Sequence, residues 1–504
     1  MRKLFLNFTN FFIFTLLLSV NIACSSDDTN EGGSGNGNED SGISVKPGMN
    51  LVGKIMDGTT PLQGVVVSDG YTTATTDDEG IYQMKANSKA EFVFVSVPAD
   101  CEIPVSNNFP VIYQTITVKP NDVLYKNFSL KKSGVKSQFR LLAVADIQIG
   151  DKTDITYLET DIPKIISYLK EDIDSQPIYG ISLGDLVWDN LPYYSNYKEQ
   201  VSRLNIPTFS VIGNHDHDMN VKDNDEAADA AFKENFGPTY YSYNIGQCHF
   251  VVLDDVLYEG GADKSYTGTI TDRQLAWLKE DLKHISKDKL IILGVHIPTK
   301  RRNSNSQVTN NAALYKLLEG YQVRILSGHS HNNYTTTISE NIEENSLGSI
   351  MGAYWNGDLC NDGSARGFAI YEIEGNQIKN WYYKGTHHER DYQMYLYSPG
   401  EAVSDKYKSG IIVNIFTWHT NWSVKLYENG IYKQNLTQNI KEMDPRAYNT
   451  MYGSDKPSHR PSAEPEKNCD HMFFYQPTSS WSEVKIEASD PYGNTYVKTI
   501  TKTE

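Results

Sequence analysis

Five short clusters of metal-ligating residue types punctuate the middle of the sequence. They are Asp146-Ile147-Gln148, Gly184-Asp185, Gly213-Asn214-His215-Asp216, His296, and Gly328-His329-Ser330-His331. Each alone reads as well as a helix cap, a turn or a structural histidine. Together they supply carboxylate, amide and imidazole donors for two divalent cations that share one ligand. Such a pair makes a bridging water nucleophilic near neutral pH and offsets charge on a phosphoryl group. A carboxylate bridges best, having two oxygens and a full charge, and Asp185 suits that part. One ion would take Asp146, Gln148, Asp185 and His331; the other would take Asp185, Asn214, His296 and His329. In extended backbone alternate residues share a side, so Asp146 and Gln148 are expected to point together, as are His329 and His331. Gly184, Gly213 and Gly328 are expected to let the chain turn sharply beside the ions.

The elements that must position these residues are legible as apolar runs. FRLLAVA (139–145), YGISL (179–183), TFSVI (208–212), HFVVL (249–253), LIILGV (290–295) and VRIL (323–326) read as buried strands, and all but HFVVL end at one of the clusters. Open α/β sheets place their ligands at such strand ends. Residues 155–170 have helical periodicity, and Thr271 with Gln274 forms a capping box for a helix with Leu275, Leu278, Leu282 and Ile285 on one face. The central domain, 138–388, is therefore layered α/β. Residues 45–133 and 392–504 read instead as short β-branched and aromatic strands between turn residues, one small all-β domain at each end.

The D-x-Q, GD, GNHD, H and GHxH series resembles the calcineurin-like metallophosphoesterase superfamily. The flanking modules resemble a bacterial lipoprotein subgroup with metallophosphoesterase-associated N- and C-terminal β domains. The resemblance implies a β-sandwich flanked by helices and a metal-dependent phosphoric ester hydrolase that attacks by a metal-bridging hydroxide. It implies that His215 stabilises the phosphoryl charge or protonates the leaving oxygen, and that Asp216 orients His215. The family's first motif is usually D-x-H. Gln148 is a neutral, harder donor than imidazole, so that site is expected to favour Mn, Mg, Fe or Ca, with Zn possible at the other. Whether the substrate is a phosphomonoester or a phosphodiester is open.

Other residues are softer candidates. In the Gly-rich stretch 352–367, Trp355 is placed to stack on a sugar or base and Arg366 to grip a second phosphate, against a plainer reading as loop packing and an ion pair. Asp189 reads as a helix cap or a hydrogen-bond partner of a ligand. Arg301 and Arg302 read as an anion-attracting pair or as solvated charge.

The ends of the chain bear on location. Residues 1–23 carry Arg2 and Lys3 before a mostly apolar run and close on Asn-Ile-Ala before Cys24, a lipobox-like signal peptide with Cys24 as the lipidated residue. Residues 24–44 form a flexible acidic tether, with a reach on the order of 25 Å. The Ser-Ser-Asp-Asp after Cys24 is similar to export signals of Bacteroidetes surface lipoproteins, giving an outer-membrane protein, at the cell surface or otherwise periplasmic. With 46 basic against 63 acidic residues the chain carries −17, the wrong sign for a nucleic-acid polymer. The expected partner is a small phosphorylated molecule (a glycan, nucleotide or lipid head group), and the membrane is met only through the anchor. The alternative function is a non-catalytic glycan-binding lipoprotein using Trp418, Trp422 and Trp481 on a degenerate scaffold. Cys101, Cys248, Cys360 and Cys469 show no zinc-type spacing and read as disulfides or buried thiols.

Overall fold

The computed structural model describes residues 42–171, 176–260, 265–301, 306–355, 357–453 and 463–502. Residues 1–23 and Cys24, read above as a leader and its lipidation site, most of the segment 24–44 read as a tether, and Arg302 lie outside the described residues. The first apolar run of the central domain forms strand β1 (Gln138–Val144), which is buried on both faces. Phe139, Leu141 and Ala143 enter one hydrophobic core, and Leu142 and Val144 enter another with Ile155, Leu158, Ile162 and Ile165 of the helix Lys152–Glu171. Each fully buried Leu, Ile or Phe among them stabilises the fold by roughly 1.5–3 kcal/mol. Asp151 starts that helix by accepting the backbone N–H groups of Thr153 and Asp154.

Strands β2 (Ile178–Leu183) and β3 (Thr208–Val211) continue parallel from β1. The second sheet is built from β4 (Tyr241–Ile245), β5 (Cys248–Val252), β6 (Leu290–Gly294), β7 (Gln322–Ser327), β8 (Tyr334–Ser339) and β9 (Ile342–Ser346). Then β10 (Gly367–Glu374) returns antiparallel to β1, and β11 (Gln377–Gly385) pairs with β10. The two sheets, in order β3-β2-β1-β10-β11 and β4-β5-β6-β7-β9-β8, share one apolar core. Within the second sheet β5, β6, β7 and β9 run parallel, so the loops after β1, β2, β3, β6 and β7 gather at one end. The helix Asp272–Asp281 opens as expected, with the Thr271 hydroxyl accepting the Gln274 N–H, and seats Trp277 and Leu278 in the core.

Residues 45–133 form a sandwich of a five-stranded and a four-stranded sheet. It is fastened to the central domain through Trp277 Nε1–H to Ser68 Oγ (3.0 Å), Tyr240 OH to the Gly70 carbonyl (2.7 Å) and the Asn244 N–H to the Val97 carbonyl (3.0 Å). The C-terminal region forms two four-stranded sheets around its own core. Trp418 and Trp481 are buried in that core and Trp422 packs against it, so the three tryptophans serve packing rather than the glycan platform of the alternative function. Cys101, Cys248, Cys360 and Cys469 are buried free thiols. Among the described residues no helix is long and apolar enough to cross a membrane.

Candidate metal centre

The loops after β1, β2, β3, β6 and β7 bring together all seven residues read as metal ligands. Asp146, Gln148, Asp185, Asn214 and His296 form a buried floor, and His329 and His331 form a partly exposed rim. Their backbone is not the extended one expected. Asp146, Gln148, Asp185, His329 and His331 all have φ between 48° and 66°, the left-handed region that costs non-glycine residues about 1–3 kcal/mol each. Asp146 and Gln148 therefore converge because each turns out of a strand end. Of the three flanking glycines only Gly184 has a left-handed φ, of 81°. Gly213 and Gly328 instead make room: a Cβ on Gly213 would lie 2.3 Å from Asp185 Oδ1, and one on Gly328 would lie 2.7 Å from Asp146 Oδ2.

The hydrogen bonds aim the donor atoms. His296 Nδ1 is held by the Leu183 carbonyl at 2.8 Å. That turns Nε2 into the cluster, 3.1 Å from Asn214 Oδ1, 3.1 Å from His329 Nδ1 and 3.3 Å from Asp185 Oδ1. His331 Nδ1 is likewise held by the Gly352 carbonyl at 2.8 Å, turning Nε2 toward Asp146 Oδ1 at 3.4 Å. Fixing one imidazole nitrogen on a carbonyl selects the tautomer whose other nitrogen can ligate. The Gln148 amide donates to Asp185 Oδ2 at 2.8 Å, and its buried Oε1 has no partner among the described residues. A buried amide oxygen without a donor is a cost that a cation removes. Burial disfavours the Asp185 carboxylate, but His296, His215 and His329 outweigh it and hold its pKa well below the usual range. One ligand atom each of Asp185, His296 and His329 lies within 4.8 Å of the others. The donor set and the bare Gln148 oxygen fit divalent ions.

Beside this cluster His215 is about one-fifth exposed and lies against the Trp188 ring, centroids 4.8 Å apart. Its Nδ1 is 2.8 Å from Asp189 Oδ1. Burial opposes its protonation, but the Asp185 charge and the bond to Asp189 prevail and raise its pKa. The orienting carboxylate is thus Asp189, not Asp216. The short 3-10 turn Asn214–Asp216 sends the Asp216 side chain back into the protein. There it accepts the N–H groups of Leu186 (3.0 Å), Val187 (3.3 Å) and Gly213 (2.9 Å) and ties the two ligand loops together. Burial, reinforced by the Asp185 charge, pushes its pKa up to about 7. Asp255 plays a similar part for the third loop, accepting the N–H groups of His296 and Ile297 at 3.1 Å.

A family model of calcineurin-like phosphoesterases matches residues 139–333. Models of the N-terminal and C-terminal parts of calcineurin-like phosphoesterases match residues 49–133 and 344–496. The chain belongs to the calcineurin-like phosphoesterases. It is a metal-dependent hydrolase of phosphoric esters. It is 27% identical over 211 residues to a probable glycerophosphodiester phosphodiesterase of Arcobacter nitrofigilis, a match covering 39% of this chain and 73% of that protein. It is 31% identical over 111 residues to purple acid phosphatase 13 of Arabidopsis thaliana, covering 20% of this chain and 18% of the relative. Among solved structures, a dimetal phosphatase from Danio rerio aligns with 47% of this chain and 93% of its own, at 15% identity and a TM-score of 0.35.

In this phosphoesterase Trp355 and Arg366 are not free to meet a substrate. Trp355 is buried, stacked on Tyr157 at 6.4 Å and 7°. Arg366 is buried in an ion pair with Asp161 of the helix Lys152–Glu171, with His387 Nε2 2.8 Å from both. Arg301 is paired with Glu466 at 3.4 Å. One residue had no motif to reveal it: Tyr266, on the hairpin of strands Val256–Gly260 and Ser265–Gly268, places its hydroxyl 3.4 Å from His329 Nε2. An aromatic in a hairpin strand carries no chemical signal until the fold sets it over the site.

Proposed function

We propose that this phosphoesterase hydrolyses phosphomonoesters or phosphodiesters with two divalent ions, outside the cytoplasm. The observation that carries the two-ion reading is the double convergence on Asp185. Asn214, His296 and His329 gather on the side of Oδ1, and Gln148 bonds Oδ2. Asp146, Gln148, Asp185 and His331 would hold one ion; Asp185, Asn214, His296 and His329 would hold the other. When bound, the ions supply Lewis acidity and lower the pKa of the attacking water.

The chain's own residues do the rest. Asp189 keeps the His215 Nδ1–H engaged, which leaves the Nε2–H of this partly exposed ring to act on a substrate. From there it hydrogen-bonds a phosphoryl oxygen or gives its proton to the departing one. Trp188 limits the swing of the ring. The Arcobacter relative, by its name, supports a diester substrate, and the plant relative supports a phosphatase. The preferred substrates are small: phosphorylated glycans, nucleotides or lipid head groups.

The leader at 1–23 and Cys24 support an outer-membrane lipoprotein. Incorporation of labelled palmitate that is lost in Cys24→Ala tests that placement. For the chemistry, the chelated protein is assayed on p-nitrophenyl phosphate and on bis-p-nitrophenyl phosphate, with Mn, Mg, Fe, Ca or Zn returned singly. Hydrolysis that vanishes on chelation and returns with metal is expected. Hydrolysis indifferent to chelation, or none with any metal, overturns the proposal.

A further inference from the structure

Away from the metal centre, a hairpin of the N-terminal module, strands Val105–Ser106 and Phe109–Pro110, is bolted across the open edge of β3. The Asn108 carbonyl accepts the Thr208 N–H at 2.9 Å, and its side-chain amide donates to the Ser202 carbonyl at 2.8 Å. Between this hairpin, the helix Tyr194–Ser202 and the helix Ala230–Phe236 lies a cavity of about 460 Å³. Drug-sized ligands occupy spaces of roughly 300–1,000 Å³. Its walls mix apolar and polar side chains: Phe109, Val111 and Tyr113 from the N-terminal module and Phe236 and Tyr241 of the catalytic domain make the apolar part, and serines, threonine and asparagines the rest.

Among the described residues the one cation in the lining is Lys198. Its Nζ bonds the neutral Asn235 Oδ1 at 2.7 Å and lies 5.8 Å from the Phe236 ring centroid. Among the described residues no carboxylate pairs with it at salt-bridge distance, and Glu234 acts on it only at longer range. Burial disfavours its charge and holds its pKa below the usual lysine value. Glu199, on the same helix, also lines the cavity and is exposed. A partly desolvated ammonium with only a neutral partner, set in a partly apolar cleft of a protein carrying −17, lacks the counter-charge that would compensate its burial.

We propose that this cavity binds a small amphiphilic anion, its apolar body against Val111, Tyr113 and the contacting Phe109 and Phe236 rings and its single carboxylate on Lys198 Nζ. The carboxylate replaces a neutral acceptor with a charge-assisted one, roughly twice as strong. The apolar body covers aromatic surface from both modules at once, so occupancy also clamps the hairpin to the catalytic domain.

Calorimetric titration of the metal-loaded full chain with laurate and with dodecanol, both below their aggregation concentrations, tests this. Wild type is expected to bind laurate more tightly than dodecanol. Lys198→Met should weaken laurate by about tenfold or more, the worth of one charge-assisted hydrogen bond, and leave dodecanol unchanged. Lys198→Arg should restore laurate binding, and Val111→Trp, which fills the cleft, should weaken both probes. Hydrolysis of a chromogenic phosphoester should be the same in wild type and Lys198→Met, since Lys198 touches no residue of the metal centre. Laurate bound equally by wild type and Lys198→Met, or not bound by wild type, overturns the proposal.

Discussion

The partnership of His215 with Asp189 can be broken without emptying the metal centre. Asp189→Asn keeps the size of the side chain but removes the charge that faces His215 Nδ1 at 2.8 Å, in a pair whose side chains are 21% and 11% exposed. A hydrogen bond to a charged group contributes about 1.5–3 kcal/mol. If the whole of that stabilisation of the oriented, protonated imidazole is lost, the fraction of enzyme poised to donate from His215 Nε2, and with it kcat, falls roughly 10- to 150-fold. His215→Ala removes the proton donor altogether and should cost about 10²- to 10⁴-fold. To the extent that Asp189 acts through His215, the double variant should be no slower than His215→Ala, giving strong non-additivity. The assay is kcat and KM on a chromogenic phosphoester at saturating metal, with metal content measured for all four proteins. An Asp189→Asn protein as fast as wild type would refute the pairing. So would a double variant slower than His215→Ala by the full Asp189→Asn factor.

Three further outcomes follow from the geometry. Gly213→Ala drives a Cβ to 2.3 Å from Asp185 Oδ1, so it should lower both metal content and rate while far-UV circular dichroism stays native. Arg366→Met leaves Asp161 buried without its guanidinium partner, and urea unfolding should show a loss of about 3–5 kcal/mol with kcat of the remaining folded protein unchanged; a fall in kcat at full stability would return Arg366 to the substrate. Tyr266→Phe removes the hydroxyl beside His329 Nε2 and should weaken metal binding by about 10- to 100-fold, read by competition with a chelating dye, and unchanged affinity would contradict that role.

Much of this was legible in the sequence because the metal-centre residues sit in short motifs after apolar runs that can be little else than buried strands. Asp146, Asp185, Asn214 and His296 each follow such a run, and the parallel strands carry them to one end of the sandwich. What stayed hidden depends on contacts far apart in the chain. Asp216 is next to His215 in sequence, yet a tight turn commits its oxygens to backbone N–H groups of Leu186 and Val187. Asp189, 26 residues upstream, reaches the imidazole instead. Arg366 reads equally as an anion grip or as half of an ion pair in a glycine-rich loop, because the partner that decides it, Asp161, lies 205 residues earlier, on a helix face. The left-handed backbone at Asp146, Gln148 and His331 had no sequence signal either, since those residue types adopt it only when the surrounding loops enforce it.

The central claim is that Asp185 stands between two cations, and anomalous diffraction at the manganese edge from Mn-soaked crystals tests it most directly. Two peaks are predicted, roughly 3.5–4 Å apart, one bounded by Asp146, Gln148 and His331 and the other by Asn214, His296 and His329, with the Asp185 carboxylate touching both. A single peak, or manganese held away from Asp185, would contradict the account.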